Sequence, residues 1–335
     1  MNILLTGGAG YIGSHAAVVL LGAGHHVVVL DNFCNSQADA ITRVEKITGH
    51  KVTVVVGDVR DTALVERTLY RHAINGVIHF AGFKAAGASV YQPLAYYANN
   101  IQGTISLLQA MDATDVRLLV FSSSATVYGD PQYLPLDEAH PTSATNPYGR
   151  TKLHIEQMLA DLCQSDPGWA VACLRYFNPV GAHESGLIGE DPQGIPNNLM
   201  PYIARVATGQ LPTLGVFGTD YLTRDGTGVR DYIHVMDLAE GHLAAVDYLP
   251  NHPGWHAINL GTGQGYSVLE MVKAFEAASG RPVPYRLDPR RPGDVATCYA
   301  EPAKAAAVLN WRASRNLYEM CVSTWHFQES LKSYE

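Results

Sequence analysis

The sequence is short of positive charge: 23 lysines and arginines stand against 31 acids, a formal net charge of -8 over 335 residues. Nucleic acids and anionic membrane surfaces select proteins with a basic footprint, so this balance argues against both as partners while leaving room for a small anion held by a few placed arginines. Cysteine is also sparse. The five residues, Cys34, Cys163, Cys173, Cys298 and Cys321, are odd in number and include no C-x-x-C, which suggests neither a disulfide framework nor a zinc site. No apolar run reaches bilayer length; the longest near the start, Ala16 to Ala23, is broken at Gly22 and followed by Gly24-His25-His26. No basic stretch followed by an apolar one and a cleavage site opens the sequence, and no repeat or low-complexity segment is visible. The expectation is a soluble, cytoplasmic protein in reducing surroundings, long enough for two lobes.

What is present is a regular alternation of apolar strands and helices. Asn2-Ile3-Leu4-Leu5-Thr6 reads as a buried strand running into Gly7-Gly8-Ala9-Gly10-Tyr11-Ile12-Gly13 and then an apolar helix to about Ala23. Glycines at 7, 10 and 13 make a variant dinucleotide-binding turn. One permits the tight turn, one lets backbone N–H groups approach a pyrophosphate, and one lets helix and strand pack closely. A second strand, Val27–Leu30, ends at Asp31, eighteen residues past Gly13. An acid about 20 residues after the turn accepts from the adenosine ribose and would repel a 2′-phosphate, so NAD is the expected cofactor. Asn32, Asn35 and Ser36 continue that loop within reach of the ribose. Val52–Val56 is a third strand; Asp58 beyond it can accept from the adenine amino group, and Asp61 caps a helix to about Arg71. Val77–Gly82 forms the fourth strand and its exit, with Lys84 just beyond, at the carboxyl end of the sheet where such folds bind ligands. A helix over about Pro93–Met111, carrying Asn99 and Asn100, and a fifth strand, Leu118–Ser122, continue the series. This alternation predicts an α/β fold built on a doubly wound parallel Rossmann sheet. Tyr11, Ile12, Val59, Phe80, Ala81 and Gly82 border its expected cofactor edge.

Chemistry enters at Asn146-Pro147-Tyr148-Gly149-Arg150-Thr151-Lys152. A helix places Tyr148 and Lys152 on one face, one turn apart. An ammonium beside a phenol favours the phenolate and is expected to lower the tyrosine pKa from its usual value of about 10, making Tyr148 a base for a substrate hydroxyl near neutral pH. Ser124, at the end of the fifth strand, is placed to bond the same hydroxyl. Pro131, Pro135, Pro141 and Pro147 mark a covering loop between the two.

Together, the Gly7–Gly13 turn, Asp31, Asp58, Ser124 and the Tyr148/Lys152 pair resemble the extended short-chain dehydrogenase/reductase family acting on nucleotide sugars. The stretches Leu174–Ala182 (LRYFNPVGA), Gly194–Pro201 (GIPNNLMP) and Asp225–Val235 (DGTGVRDYIHV) are similar to the UDP-glucose 4-epimerases, and the likeness covers essentially the whole chain. The resemblance implies that Tyr148 takes the proton of the sugar 4-hydroxyl while the C4 hydride passes to tightly held NAD. The 4-keto sugar then turns over and the hydride returns to its other face, interconverting UDP-glucose and UDP-galactose. It gives Lys152 a second role, holding the nicotinamide ribose, and has Ser124 orient the 4-hydroxyl. Gly149-Arg150-Thr151 departs from the Lys-Ser pair often seen between the family's Tyr and Lys, without consequence for helix geometry. Sugar-nucleotide 4,6-dehydratases, the nearest rivals, carry an Asp-Glu pair just before V-Y-G. Ala125 and Thr126 stand there, and neither can act as that acid or base.

Residues 1–176 are therefore expected to form the NAD-binding domain, and 177–335 mainly a smaller mixed α/β UDP-sugar-binding lobe, some of whose segments can return to the first domain. Gly/Pro-rich stretches at Ser185–Pro201 and Phe217–Gly228 are expected to cover the nucleotide sugar. By the family pattern Phe177 joins the cofactor contacts, Asn178 and Asn198 contact the diphosphate or sugar, Phe217 lies near the uridine and Asp294 bonds its ribose. Arg230 and Arg291 are natural diphosphate partners, since the guanidinium fork matches phosphate oxygens. Helices at about Met236–Leu249, Val268–Ser279 and Leu317–Leu331 read as packing, and His234, His242, His256 and His326 lack metal-ligand spacing. Cys298 aligns with the family position bordering the sugar C2 pocket, where a small residue accompanies acceptance of N-acetylated sugars. A slip of one would put Tyr299 there and reverse that expectation. The resemblance also implies a homodimer joined through the helices near Pro93–Met111 and Tyr148–Cys163. Two rival functions remain open: a net oxidoreductase releasing NADH, and a non-catalytic NAD-sensing protein.

Overall fold

The computed structural model describes residues 1–291 and 293–332. Strands β1 (Asn2–Thr6), β2 (His26–Asp31), β3 (Thr53–Val56), β4 (Gly76–His79), β5 (Leu118–Ser124) and β6 (Ala170–Tyr176) alternate with helices in the first half. Beyond them come β7 (Asn178–Val180), β8 (Leu214–Phe217), β9 (Val229–His234), β10 (Gly254–Leu260), β11 (Gly265–Ser267), β12 (Tyr285–Asp288) and β13 (Thr297–Cys298). Seven strands form one parallel sheet in the order β10-β6-β5-β4-β1-β2-β3. Its inner strands are apolar on both faces because helices cover both. In β1, Ile3 and Leu5 pack with Leu20, Leu238 and Val246 on one side, while Leu4 packs with Leu69, Leu107, Ile155 and Leu159 on the other. The strand order reverses between β1 and β4, and the crevice at that switch point is where open α/β sheets take ligands.

β10 and the helix before it, Val235–Tyr248, rejoin this sheet from the second half of the chain; that helix packs on Tyr11–Gly22. The remaining strands make two small sheets, one with β9 flanked by β11, β13 and β7, the other pairing β12 with β8. They enclose a separate apolar core of Met200, Ile203, Val216, Tyr232, Met271 and Phe275. Among the described residues no helix is long and apolar enough to cross a membrane.

One local expectation needs correction, and one short element was not foreseen. The helix expected over Pro93–Met111 is broken: Pro93–Tyr96 leads into a π-helical turn at Tyr97–Gln102, and regular helix resumes over Gly103–Ala113. The widened turn carries the side chain of Asn100 inward, where its Oδ1 accepts from the Phe83 amide at 2.8 Å and its Nδ2 donates to the Phe83 carbonyl and to Thr151 Oγ1, each at 3.0 Å. Such turns concentrate at functional sites because they re-aim side chains. A short helix over Ala86–Tyr91 also follows Lys84; its small residues gave no periodic signal.

Candidate active site

One cleft of about 880 Å³ runs along the carboxyl edge of the large sheet. Its floor is the Gly7–Gly13 turn. Gly7 has φ +69° and a Cβ there would lie 2.7 Å from the Ala81 amide, while a Cβ on Gly13 would lie 2.6 Å from the Gly7 carbonyl. Only glycine allows that approach, and the turn opens the Tyr11–Gly22 helix toward the cleft. Asp31 closes the far end: it is buried and accepts from the Ala9 amide at 3.0 Å, the Phe33 amide at 2.9 Å and Ser36 Oγ at 2.9 Å. Three bonds leave a carboxylate with acceptor capacity to spare. Asp58 is clasped by Arg60 through Nε at 2.8 Å and Nη2 at 2.7 Å, with Asn32 at 3.1 Å. The guanidinium holds its carboxyl down to about 2.

At the centre, the Pro147–Ser165 helix begins with Asn146 Oδ1 accepting from the Gly149 amide at 2.9 Å and a proline in the first turn, both favoured at helix starts. Tyr148 and Lys152 share its inner face. The Lys152 ammonium donates to the Ser122 carbonyl at 2.6 Å and Ser122 Oγ at 3.3 Å, and lies 6.0 Å from the Tyr148 ring centre. Burial lowers Lys152 to about 8 against the opposing charge of Glu156. Tyr148 corrects the expectation of a lowered phenol: burial pushes it up to about 12, a hydrogen bond with Ser124 opposes that shift, and Tyr96 adds to it. The sign differs because desolvation penalises the phenolate, while the ammonium spends its short bond on Ser122. Ser124 Oγ accepts from the Thr126 amide at 3.2 Å and Thr126 Oγ1 at 2.9 Å.

The opposite wall comes from the second half. Asn178, Asn198, Arg230, Arg291, Asp294 and Cys298 border the cleft, as do all the residues singled out on the cofactor side. Phe217 is the exception: it lies outside the lining, with the Arg291 guanidinium stacked 3.8 Å from its ring centre. Strand alternation sends Cys298 into the cleft and Tyr299 toward Gly265. The Cys298 thiol is pushed up to about 11 by burial. Asp231, fully buried, accepts from the Thr262, Gly263 and Ala300 amides at 2.9 to 3.1 Å and so anchors the end of β13. Residues absent from the sequence-derived set include Thr126, Tyr176 and Glu190. Glu190 bridges the two walls, accepting from Lys84 at 3.0 Å and from Asn198 Nδ2 at 2.6 Å. Its only sequence signal was membership of the expected covering stretch.

A parallel sheet with a glycine cradle and acid at its carboxyl edge, and a Tyr/Lys/Ser set beside them, defines a Rossmann-fold enzyme of the short-chain dehydrogenase/reductase class. Residues 4–324 match the family described as GDP-mannose 4,6 dehydratase. The chain is 59% identical over 330 residues to the UDP-glucose 4-epimerase of Bacillus subtilis, covering 98% of this chain and 97% of that one. Among solved structures it is similar to the UDP-glucose 4-epimerase of Stenotrophomonas maltophila with bound NAD and formylated UDP-arabinopyranose, with a TM-score of 0.98, 51% identity and 100% of both chains covered. It is also similar to the enzyme of Bifidobacterium longum in complex with NAD+ and UDP, with a TM-score of 0.96, 53% identity and 98% of each chain covered. The chain belongs to the UDP-glucose 4-epimerase family.

Proposed function

We propose that this protein interconverts UDP-glucose and UDP-galactose, with NAD resident in the cleft between the Gly7–Gly13 turn and Asp31. The carrying observation is convergence: Tyr148, Lys152 and Ser124 lie in the same cleft as the glycine cradle and the Arg230/Arg291 wall. NAD, when bound, supplies a hydride acceptor that becomes the donor within the same turnover. The chain's own residues do the rest. The backbone N–H groups of the turn and the helix end behind it would hold the NAD pyrophosphate, and the spare capacity of Asp31 would accept from a ribose hydroxyl. Ser124 hydrogen-bonds the sugar 4-hydroxyl, the Tyr148 phenolate, its charge stabilised by the Lys152 ammonium, takes the hydroxyl proton to become a neutral phenol, and it later returns that proton to the other epimer. Arg230 and Arg291 hold the diphosphate, the latter braced on Phe217.

The test is a coupled assay of purified protein with UDP-galactose and no added cofactor. Formation of UDP-glucose without accumulation of NADH is expected. Stoichiometric NADH release would point instead to a net oxidoreductase, and NAD binding without turnover to a sensor.

Cys298 supports a wider substrate range that takes in UDP-N-acetylglucosamine, because the small thiol, not Tyr299, borders the cleft. Cys298→Tyr is expected to abolish N-acetyl turnover while UDP-galactose turnover stays within about threefold, since filling a pocket acts on the larger substrate first. We further propose that residues 177–335, less the segment returning through β10, form the substrate lobe. A homodimer through the helices near Pro93–Met111 and Tyr148–Cys163 is supported by the exposed Tyr91, Leu94 and Ile105 and is checked by light scattering. Five unpaired cysteines suit a reducing cytoplasm.

A further inference from the structure

The inner face of the Pro147–Ser165 helix continues past Tyr148 and Lys152 to Glu156, one further turn along. Two of the three bond consecutive serines at the end of β5, Lys152 to Ser122 and Glu156 accepting from Ser123 Oγ, and Tyr148 shares the cleft with the third, Ser124. Glu156 is 2% exposed, and behind it Arg175, 3% exposed, donates through Nε at 3.0 Å and Nη2 at 2.6 Å. Arg175 Nη1 donates to the Tyr128 hydroxyl at 3.1 Å, which donates to Asn259 Oδ1 at 2.6 Å on β10. The network thus joins the helix to β5, β6 and β10. An ion pair this deep is a poor source of net stability compared with packed apolar side chains, so its presence asks for another role.

We propose that Glu156, backed by Arg175, is a positioning residue for the epimerisation: it sets the register of the Tyr148/Lys152 helix on the three-serine end of β5 and puts a carboxylate one helical turn from the Lys152 ammonium. The geometry gives the first half, since a shift of the helix along the strand breaks the Ser122 and Ser123 contacts together. The second half follows from what surrounds the ammonium. Tyr148 and Glu156 face it from its own helix, His79 from β4, and Cys173, Tyr176 and Arg175 lie on β6, with Tyr96 beyond Tyr148. Burial keeps His79 neutral and pushes the Cys173 thiol and Tyr176 phenol upward. Glu156 therefore supplies the carboxylate that opposes the desolvation of Lys152. Removing it lowers the pH at which Lys152 loses its proton, so the alkaline limb of turnover moves down the pH scale.

The test uses the NAD-loaded protein. Glu156→Gln alone leaves a buried guanidinium unpaired, so the pair is replaced together in the double variant Glu156→Gln/Arg175→Met. NMR of isotope-labelled lysine ε-carbons, with the Lys152 signal assigned from its loss in Lys152→Arg, is expected to show the Lys152 midpoint lowered, since Glu156 is the charge that acts on Lys152 directly while Arg175 pairs with Glu156 and Tyr128. The alkaline limb of kcat should move down with it, and kcat should fall about 10-fold at its optimum with KM for UDP-galactose little changed, as misplaced reacting groups produce. A folded, NAD-loaded double variant with the wild-type midpoint and kcat overturns the proposal. Should that variant fail to fold, Ser123→Ala removes one rung alone; an unchanged kcat there overturns the register role. The pH–rate arm rests on the proposed reaction, and a wild type without turnover sinks that reaction. The lysine midpoint is independent of turnover and still decides this inference.

Discussion

At Tyr148 two effects of opposite sign meet, and their balance sets what the residue can do. Spacing alone brings a lysine within one helical turn, which favours the phenolate. Burial and a competing carbonyl at Ser122 reverse the outcome and lift the phenol to about 12. NAD held in this cleft would bring a positive nicotinamide, which beside the Lys152 ammonium would favour the phenolate and lower the phenol again. The expected result is that a tyrosinate absorbance step missing from Tyr148→Phe lies at lower pH in the NAD-loaded protein than in protein stripped of it. The same Tyr148→Phe variant should retain NAD and lose turnover by about 10³-fold or more, because nothing else on the helix replaces the proton acceptor. The pair was legible as a sequence motif; the direction of the shift was not, since desolvation depends on neighbours far away in the chain.

Among the elements, the Gly7–Gly13 turn and the Val268–Ser279 helix carry different burdens. Gly7→Ala forces a side chain into a left-handed backbone and against the Ala81 amide. It should cost about 2 kcal/mol of stability and reduce the NAD recovered with purified protein, measured as the cofactor-to-protein ratio after denaturation. By contrast, Ser267 starts a helix and ties it to the preceding loop: its hydroxyl accepts from the Glu270 amide and donates to the Asp225 carboxylate, and the Glu270 carboxylate accepts from the Ser267 amide. Ser267→Ala should lower Tm by the equivalent of about 1 kcal/mol and leave kcat near wild type. Both elements were readable from local sequence because glycine and cap chemistry act within a few residues. The π-helical turn at Tyr97–Gln102 was not, because what holds it open is Asn100 bonding to Phe83 and Thr151.

Across the whole molecule, burial of neutral histidines sets the acid limit. His15, His79 and His234 are each 3% exposed or less and lowered to about 3, and His242, fully buried, to about 4, in every case chiefly by desolvation. In the unfolded chain each would take up a proton near its ordinary value of about 6.5. The folded state does not, so stability is full above about pH 7 and falls as pH drops toward the folded values. Chemical denaturation between about pH 7.5 and about pH 5.5 should show a loss of roughly 1.3 kcal/mol for each of the four histidines, on the order of 5 kcal/mol in all. A flat profile across that window would contradict neutral burial of these four.

The sequence by itself determined the nucleotide turn, the acid at Asp31, the Tyr148/Lys152 spacing and the parallel sheet that brings them to one edge. Each of these follows from steric, capping or periodic rules that operate over a few residues or a single strand–helix unit. Only the tertiary structure decided which of Cys298 and Tyr299 faces the cleft, that Phe217 serves Arg291 instead of lining the site, and that Glu190 and Glu156 stand behind the residues the motifs named. Those outcomes depend on sheet pairing and on desolvation by distant segments, and neither is encoded at the positions where its effect is felt.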